Sequence, residues 1–309
     1  MISIYKNFEN GLQVVPELIE GAWVNVVDPS PEDIAWLRGQ GVPPDYVDYS
    51  LDIDERARAE RENGDVFILL RLPHFQGNNV DIPYTTLPLG IILTHNTLFT
   101  VSKYKHSIID DFINGRVKAL STGKRHRFIL RLLLATATKY LHYLRQITKI
   151  VDGLEDQLQL STRNKELLEL LKYQKSLTVF ATALKSNELM MERLERSKLF
   201  QAYPEDEDLL DDVLTENQQA IEMTNISSNI LSGMMDAFAS IIANNLNMVM
   251  KFLTLITIIL MLPTLIASIY GMNVELPFQH SPHAFLIPML ISVVLSAVAI
   301  TLFVFKKWL

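Results

Sequence analysis

Residues 252–272 read FLTLITIILMLPTLIASIYGM, a stretch with no Asp, Glu, Lys, Arg or His. A second such stretch, AFLIPMLISVVLSAVAITLFVF, fills 284–305. A helix needs about 20 consecutive apolar residues to cross a bilayer, and each run has that length. Two buried core helices are the rival reading, but two adjoining runs of this length favour a membrane hairpin. The flanks orient it. Lys251 precedes the first run, Lys306 and Lys307 follow the second, and the connecting loop 273–283 has no Lys or Arg. The positive-inside bias then puts both termini in the cytoplasm and the loop outside. The KKWL end reads as a basic anchor with Trp308 at the interface. Each run contains a proline, Pro263 and Pro288. Prolines in a membrane need neighbours to satisfy the carbonyl they free. A lone hairpin offers little such shelter, so oligomerisation is expected.

A pattern runs backwards from the end of the first stretch. Steps of three and four residues from Gly271 meet Ser268, Thr264, Met261, Thr257, Thr254, Met250, Asn247, Ala243, Ser240 and Asp236. Nearly all are small or polar, whereas the positions between them within the apolar run are mostly Ile, Leu and Phe. This spacing keeps one helix face toward a common axis. Polar atoms in lipid face the protein interior or a water path. A packing seam of small residues is the competing reading. It accounts for Ser268 and Ala243, and less well for Asn247 and Asp236.

Upstream, no Lys or Arg occurs from Leu199 to Met250, while Glu205, Asp206, Glu207, Asp208, Asp211, Asp212, Glu216, Glu222 and Asp236 do. Apolar residues recur there at helical spacing, and no proline lies between Pro204 and Pro263. One helix from about Glu205 to about Tyr270 is expected, on the order of 100 Å long at ~1.5 Å per residue. Carboxylates from several such stalks, set side by side, would repel unless cations bind. Hard divalent ions such as Mg²⁺ or Ca²⁺ prefer oxygen ligands.

The rest of the chain is mixed. Residues 22–29, 64–75, 87–94 and 98–103 read as strands, the last two joined by a turn at His95-Asn96-Thr97. Residues 30–41 read as a helix capped by Ser30, with Glu32 and Asp33 in its first turn. Residues 107–200 read as helices, with an apolar stripe from Leu130 to Leu158. The composition is 49% apolar over 309 residues, with net charge −7 and no cysteine. A nucleic-acid partner, disulfides, a thiol nucleophile and a Cys-based zinc site are therefore not expected. The charged N-terminal residues do not read as a signal peptide. No phosphate loop or nucleophile motif is visible, so neither a nucleotide site nor an enzyme is expected. His280 and His283 read as surface residues of the outer loop.

The segment NMVMKFLTLITIILMLPTLIASIYGMN (247–273), the second span and the KKWL end resemble the CorA magnesium channels, within the two-helix GxN metal-ion transporters. The resemblance spans essentially the whole chain. It implies an α+β fold: a cytoplasmic α/β domain (1–120), a helical region (121–204), a stalk helix (205–250), a pore-lining span (251–272), an outer loop (273–283), a second span (284–305) and a basic tail (306–309). It implies a funnel-shaped homopentamer in the plasma membrane that passes Mg²⁺. Gly271, Met272 and Asn273 would form the selectivity filter. Asn247, Met250, Leu253, Thr254, Thr257, Met261, Thr264 and Ser268 would line or gate the pore, and Asp236 would ring its inner mouth. Asp212 matches a regulatory Mg²⁺ position, with Asp211 and Asp208 near it and Asp81 as a candidate partner. Lys251, Lys306 and Lys307 would form a basic collar. Three features depart from the family pattern: Pro263 comes one place late, Ser268 stands where glycine is common, and Glu275 is the single acid of the outer loop. A Zn²⁺, Co²⁺ or Ni²⁺ transporter or exporter of the same fold, and a non-conducting metal-sensing scaffold, are the alternatives.

Overall fold

The computed structural model describes residues 1–8, 11–62, 64–94, 97–118, 120–160, 164–200, 203–277 and 282–306. His95, Asn96, His280, Lys307 and Trp308 lie outside them. The chain divides into two compact units, Met1–Met235 and Asp236–Leu309.

The first unit is built on a seven-stranded sheet of order β2-β1-β3-β7-β6-β5-β4. Its strands are β1 (Ile2–Phe8), β2 (Gly11–Val14), β3 (Trp23–Val27), β4 (Arg58–Glu62), β5 (Asp65–Phe75), β6 (Tyr84–Leu93) and β7 (Leu98–Ser102). All neighbours are antiparallel except β3 and β7. Successive strand side chains point to opposite faces, and β5 shows what each face meets. Val66, Ile68, Leu70 and Leu72 enter one core with Phe128, Leu133 and Met191. Phe67 and Leu69 enter the other with Leu37, Tyr46 and Val47. The first core is covered by α3 (Ser107–Ile113), α4 (Arg125–Leu160), α5 (Asn164–Arg196) and the start of α6 (Pro204–Tyr270). The second is covered by α1 (Pro31–Gly39) and α2 (Pro44–Leu51). A strand buried on both faces reads as a continuous apolar run, and residues 66–70 are VFILL.

Ser30 caps α1 as expected, with Asp33 closing a reciprocal capping box. The apolar stripe of α4 is buried at Leu130, Leu133, Ala137, Leu141, Leu144, Ile147 and Val151. The β6–β7 turn is closed by the Thr94 N–H donating to the Thr97 carbonyl at 3.0 Å. Gly90 in β6 is dictated by a close approach, since a Cβ there would lie 1.7 Å from Ser50 Oγ.

Pro88 sits in the middle of β6, opposite Arg71, and has no N–H for the ladder. The backbone groups of Arg71 are satisfied by side chains of the covering helices instead. Asn187 Oδ1 accepts from the Arg71 N–H at 3.0 Å, and Asn187 Nδ2 and the Tyr140 hydroxyl donate to the Arg71 carbonyl at 2.9 Å each. His106 donates to the Pro88 carbonyl. Burial pushes the His106 imidazole down to about 4 from its ordinary 6.5; neighbouring His74 adds to this, and the Pro88 hydrogen bond opposes it. Between those values the unfolded chain takes up a proton that the folded chain refuses. Stability therefore rises with pH across this window, and up to about 3 kcal/mol is lost as pH falls from neutral to 4. Thermal unfolding of His106→Gln in detergent should show a shallower acid dependence than the parent between pH 7 and 4.5. Equal slopes would remove His106 as the source.

The border between the two units falls within α6, which runs 67 residues. In its first part, Asp206, Leu210, Val213, Asn217, Ala220 and Thr224 are buried at steps of three and four, and Leu231 follows two turns on. The acidic run is thus not a uniformly solvated face. Asp206 is only 3% exposed and accepts from Arg127 Nε at 2.6 Å. The second unit holds the rest of α6 and α7 (Leu286–Phe305). Both helices contain stretches long and apolar enough to cross a membrane.

Candidate functional site

In the apolar half of α6, Leu255, Ile258, Ile259, Leu262, Ile266 and Tyr270 are buried or half-buried, and Ile259 is in contact with α7. Thr254, Thr257, Met261, Thr264, Ser268 and Gly271 are all exposed. At about 100° per residue the mean directions of the two sets lie roughly 160° apart. The small-and-polar stripe therefore points away from α7. Upstream it continues through Met250, Asn247 and Asp236, which are exposed too. Leu253 borders it and is 57% exposed.

The threonine hydroxyls on this face share one geometry. Thr254, Thr257 and Thr264 each donate to the carbonyl four residues earlier, at 2.8, 2.8 and 2.9 Å. With the proton committed to the backbone, each oxygen is left with lone pairs that can accept from water. Ser240 does the same toward the Asp236 carbonyl at 3.0 Å.

At its C-terminal end α6 finishes at Tyr270. The Gly271 N–H donates to the Ala267 carbonyl at 2.9 Å and the Met272 N–H to the Ile269 carbonyl at 3.2 Å. A Cβ on Gly271 would lie 3.2 Å from the Ala267 oxygen, so glycine lets the chain turn tightly against the helix end. The end of a helix leaves carbonyls open and carries partial negative charge. Met272 and Asn273 follow directly and are exposed, and the Asn273 amide has no partner among the described residues. The Tyr270 hydroxyl faces the Pro277 carbonyl of the loop at 3.4 Å. Between α6 and α7 at this end lies a mostly apolar cleft of about 1010 Å³.

Asp208, Asp211 and Asp212 are exposed on α6 and make no hydrogen bond or ion pair among the described residues. Asp81 is differently placed, since both its oxygens accept from Lys175 Nζ, at 2.7 and 3.0 Å. Among the described residues no group of three or more His, Asp or Glu side chains is assembled for a metal within the single chain. Lys251 and Lys306 are exposed, and Lys306 caps the C-terminus of α7, where a cation complements the helix dipole.

The prolines do not need a second chain for shelter. Pro288 is the third residue of α7, in the first turn, where proline is well tolerated. Pro263 lies inside α6 and frees the Ile259 carbonyl, but the Ser296 hydroxyl of α7 donates to that oxygen at 3.5 Å. Ser296 carried no signal in the sequence beyond being one more serine in an apolar helix.

Residues 20–307 match the model of the family described as CorA-like Mg²⁺ transporter protein. The cobalt/magnesium transport protein CorA of Methanocaldococcus jannaschii is 28% identical over 100% of both chains. That of Thermotoga maritima is 24% identical over 93% of this chain and 83% of its own. The complete structure of the Methanocaldococcus jannaschii CorA magnesium transporter superposes with a TM-score of 0.86 at 24% identity, covering 100% of this chain and 99% of that one. The soluble α/β part, the long helix and the two C-terminal apolar helices all fall within that match.

Proposed function

The chain belongs to the CorA-like Mg²⁺ transporter family, and from that membership we propose that it forms a homopentameric Mg²⁺ channel in the plasma membrane. The observation that carries the proposal is the two-faced α6. Its apolar side is covered by α7, and its opposite side is an unpartnered stripe of hydroxyl, amide and small residues ending at Gly271-Met272-Asn273. Five copies with those stripes facing one axis would enclose a water path walled by backbone-bonded threonines. Both termini would lie in the cytoplasm, with the loop outside.

Mg²⁺ is small and gives up its water reluctantly. Neutral oxygens can instead accept hydrogen bonds from the waters of the hydrated ion. Five Asn273 amides, with the partial negative charge of five helix ends behind them, suit that task. The membrane potential supplies about 2.3 kcal/mol per charge per 100 mV, so about 4.6 for a divalent ion. Closure by cytoplasmic Mg²⁺ would use the unpaired stalk carboxylates Asp208, Asp211 and Asp212 at subunit contacts. The basic collar would face lipid headgroups.

Ion flux into proteoliposomes, with Co²⁺, Ni²⁺ and Zn²⁺ as competitors, tests the proposal. Potential-driven Mg²⁺ uptake is expected. Absence of any divalent flux would leave the scaffold reading, and a preference for Zn²⁺ would reassign the cargo. Co²⁺ is the competitor favoured to permeate, since relatives are named for both ions.

A further inference from the structure

We propose that Ser296 is a positioning residue for the ion path: its hydroxyl stands in for the N–H that Pro263 lacks and so fixes the course of α6 at mid-span. Four observations converge on it. Pro263 removes the donor that the Ile259 carbonyl would meet in a regular helix. That carbonyl lies in the apolar part of α6, where an unsatisfied backbone group is costly and water is scarce. Ser296 Oγ donates to it from α7 at 3.5 Å. And Ser296 departs from its neighbours: Thr254, Thr257, Thr264, Ser292 and Thr301 all spend their hydroxyl protons on the carbonyl four residues earlier in their own helix.

The position of this bond gives it a role, which rests on the channel reading above. Thr254 and Thr257 lie on the inner side of the interrupted turn, and Thr264, Ser268 and Gly271 lie on its outer side. A helix that has lost one rung at a proline can bend there. The Ser296 bond ties the weak point to α7, and small neighbours at Ala267 and Ala297 line the same helix-helix cleft. Holding the weak point sets how the outer half of the stripe, with Asn273 at its end, is aimed relative to the inner half.

The test is a double-mutant cycle on the full-length protein. Pro263→Ala returns an N–H to the Ile259 carbonyl and should make the Ser296 hydroxyl dispensable. Two readouts are taken: the thermal unfolding midpoint in detergent, and maximal Mg²⁺ flux with its half-saturating concentration in proteoliposomes. Ser296→Ala alone should lower the midpoint by roughly 2–4 °C. It should change maximal flux several-fold with little change in half-saturation. Ser296→Thr, which keeps the hydroxyl, should behave as the parent. In the Pro263→Ala background, Ser296→Ala should have no further effect on either readout. An effect of Ser296→Ala that is equally large with and without Pro263 overturns the proposal, as does no effect in the parent. Should Pro263→Ala fail to fold, equal losses in Ser296→Ala and Ser296→Thr overturn it. The unfolding cycle does not depend on conduction, so a chain that passes no ion would defeat the channel reading while leaving the hydrogen bond measurable.

Discussion

Asn273→Ala should abolish selective Mg²⁺ flux in proteoliposomes while leaving the unfolding midpoint unchanged. The side chain is exposed just past the end of α6 and has no hydrogen-bond partner among the described residues, so its removal breaks nothing that holds the fold. Its expected work lies with the ion. A hydrogen bond is worth about 1 kcal/mol net, so a ring of five contributes on the order of 5 kcal/mol and its loss roughly several thousandfold in rate. Asn273→Gln keeps an amide oxygen but moves it outward, and should retain weaker, less selective flux. Parent-like Mg²⁺ selectivity in the alanine variant would sink the filter assignment.

The second large effect concerns the proposed closure by cytoplasmic Mg²⁺. Asp211→Asn combined with Asp212→Asn should leave flux running at cytoplasmic Mg²⁺ levels that close the parent. Both carboxylates are exposed on α6, and the sequence supplies no Lys or Arg from Leu199 to Met250 to neutralise them. Brought near a second copy, they need a cation. Loss of those ligands should raise the half-inhibitory Mg²⁺ concentration roughly tenfold or more, each tenfold being about 1.4 kcal/mol. Asp81→Asn should do much less, because Lys175 already holds that carboxylate with two bonds. Inhibition curves measured from the cytoplasmic side decide it. An unchanged curve for the double variant would remove these aspartates from gating, and a large shift for Asp81→Asn would move the site there.

How much of this was legible in the chain varies with the physical signal. The strands β3, β5, β6 and β7 carry dense apolar runs because the middle of the sheet is buried on both faces. By contrast, β4 reads RAERE, with only Ala59 buried, and β2 is almost wholly exposed. These are the two edge strands, short and largely exposed, and so leave little periodic trace. Asp206 looked like any other member of an acidic run. Only the fold brings Arg127, distant in sequence, to within 2.6 Å of it. The side-chain bonds to the Arg71 backbone and the Pro88 carbonyl were equally hidden, since they come from α4, α5 and the cap of α3 at once.

The sequence by itself determined the two membrane-length apolar runs, the stripe at steps of three and four, the run of stalk acids without Lys or Arg and the Gly-Met-Asn at the stripe's end. These are local properties: hydrophobic length, helical period and charge are all counted along one chain. The tertiary structure decided which side of α6 is covered by α7, which stalk carboxylate is buried, and which hydroxyl mends the gap at Pro263. Those outcomes depend on two or more segments meeting in space, and hydrogen-bond reach of about 3 Å is far too short to be read from residues many positions apart.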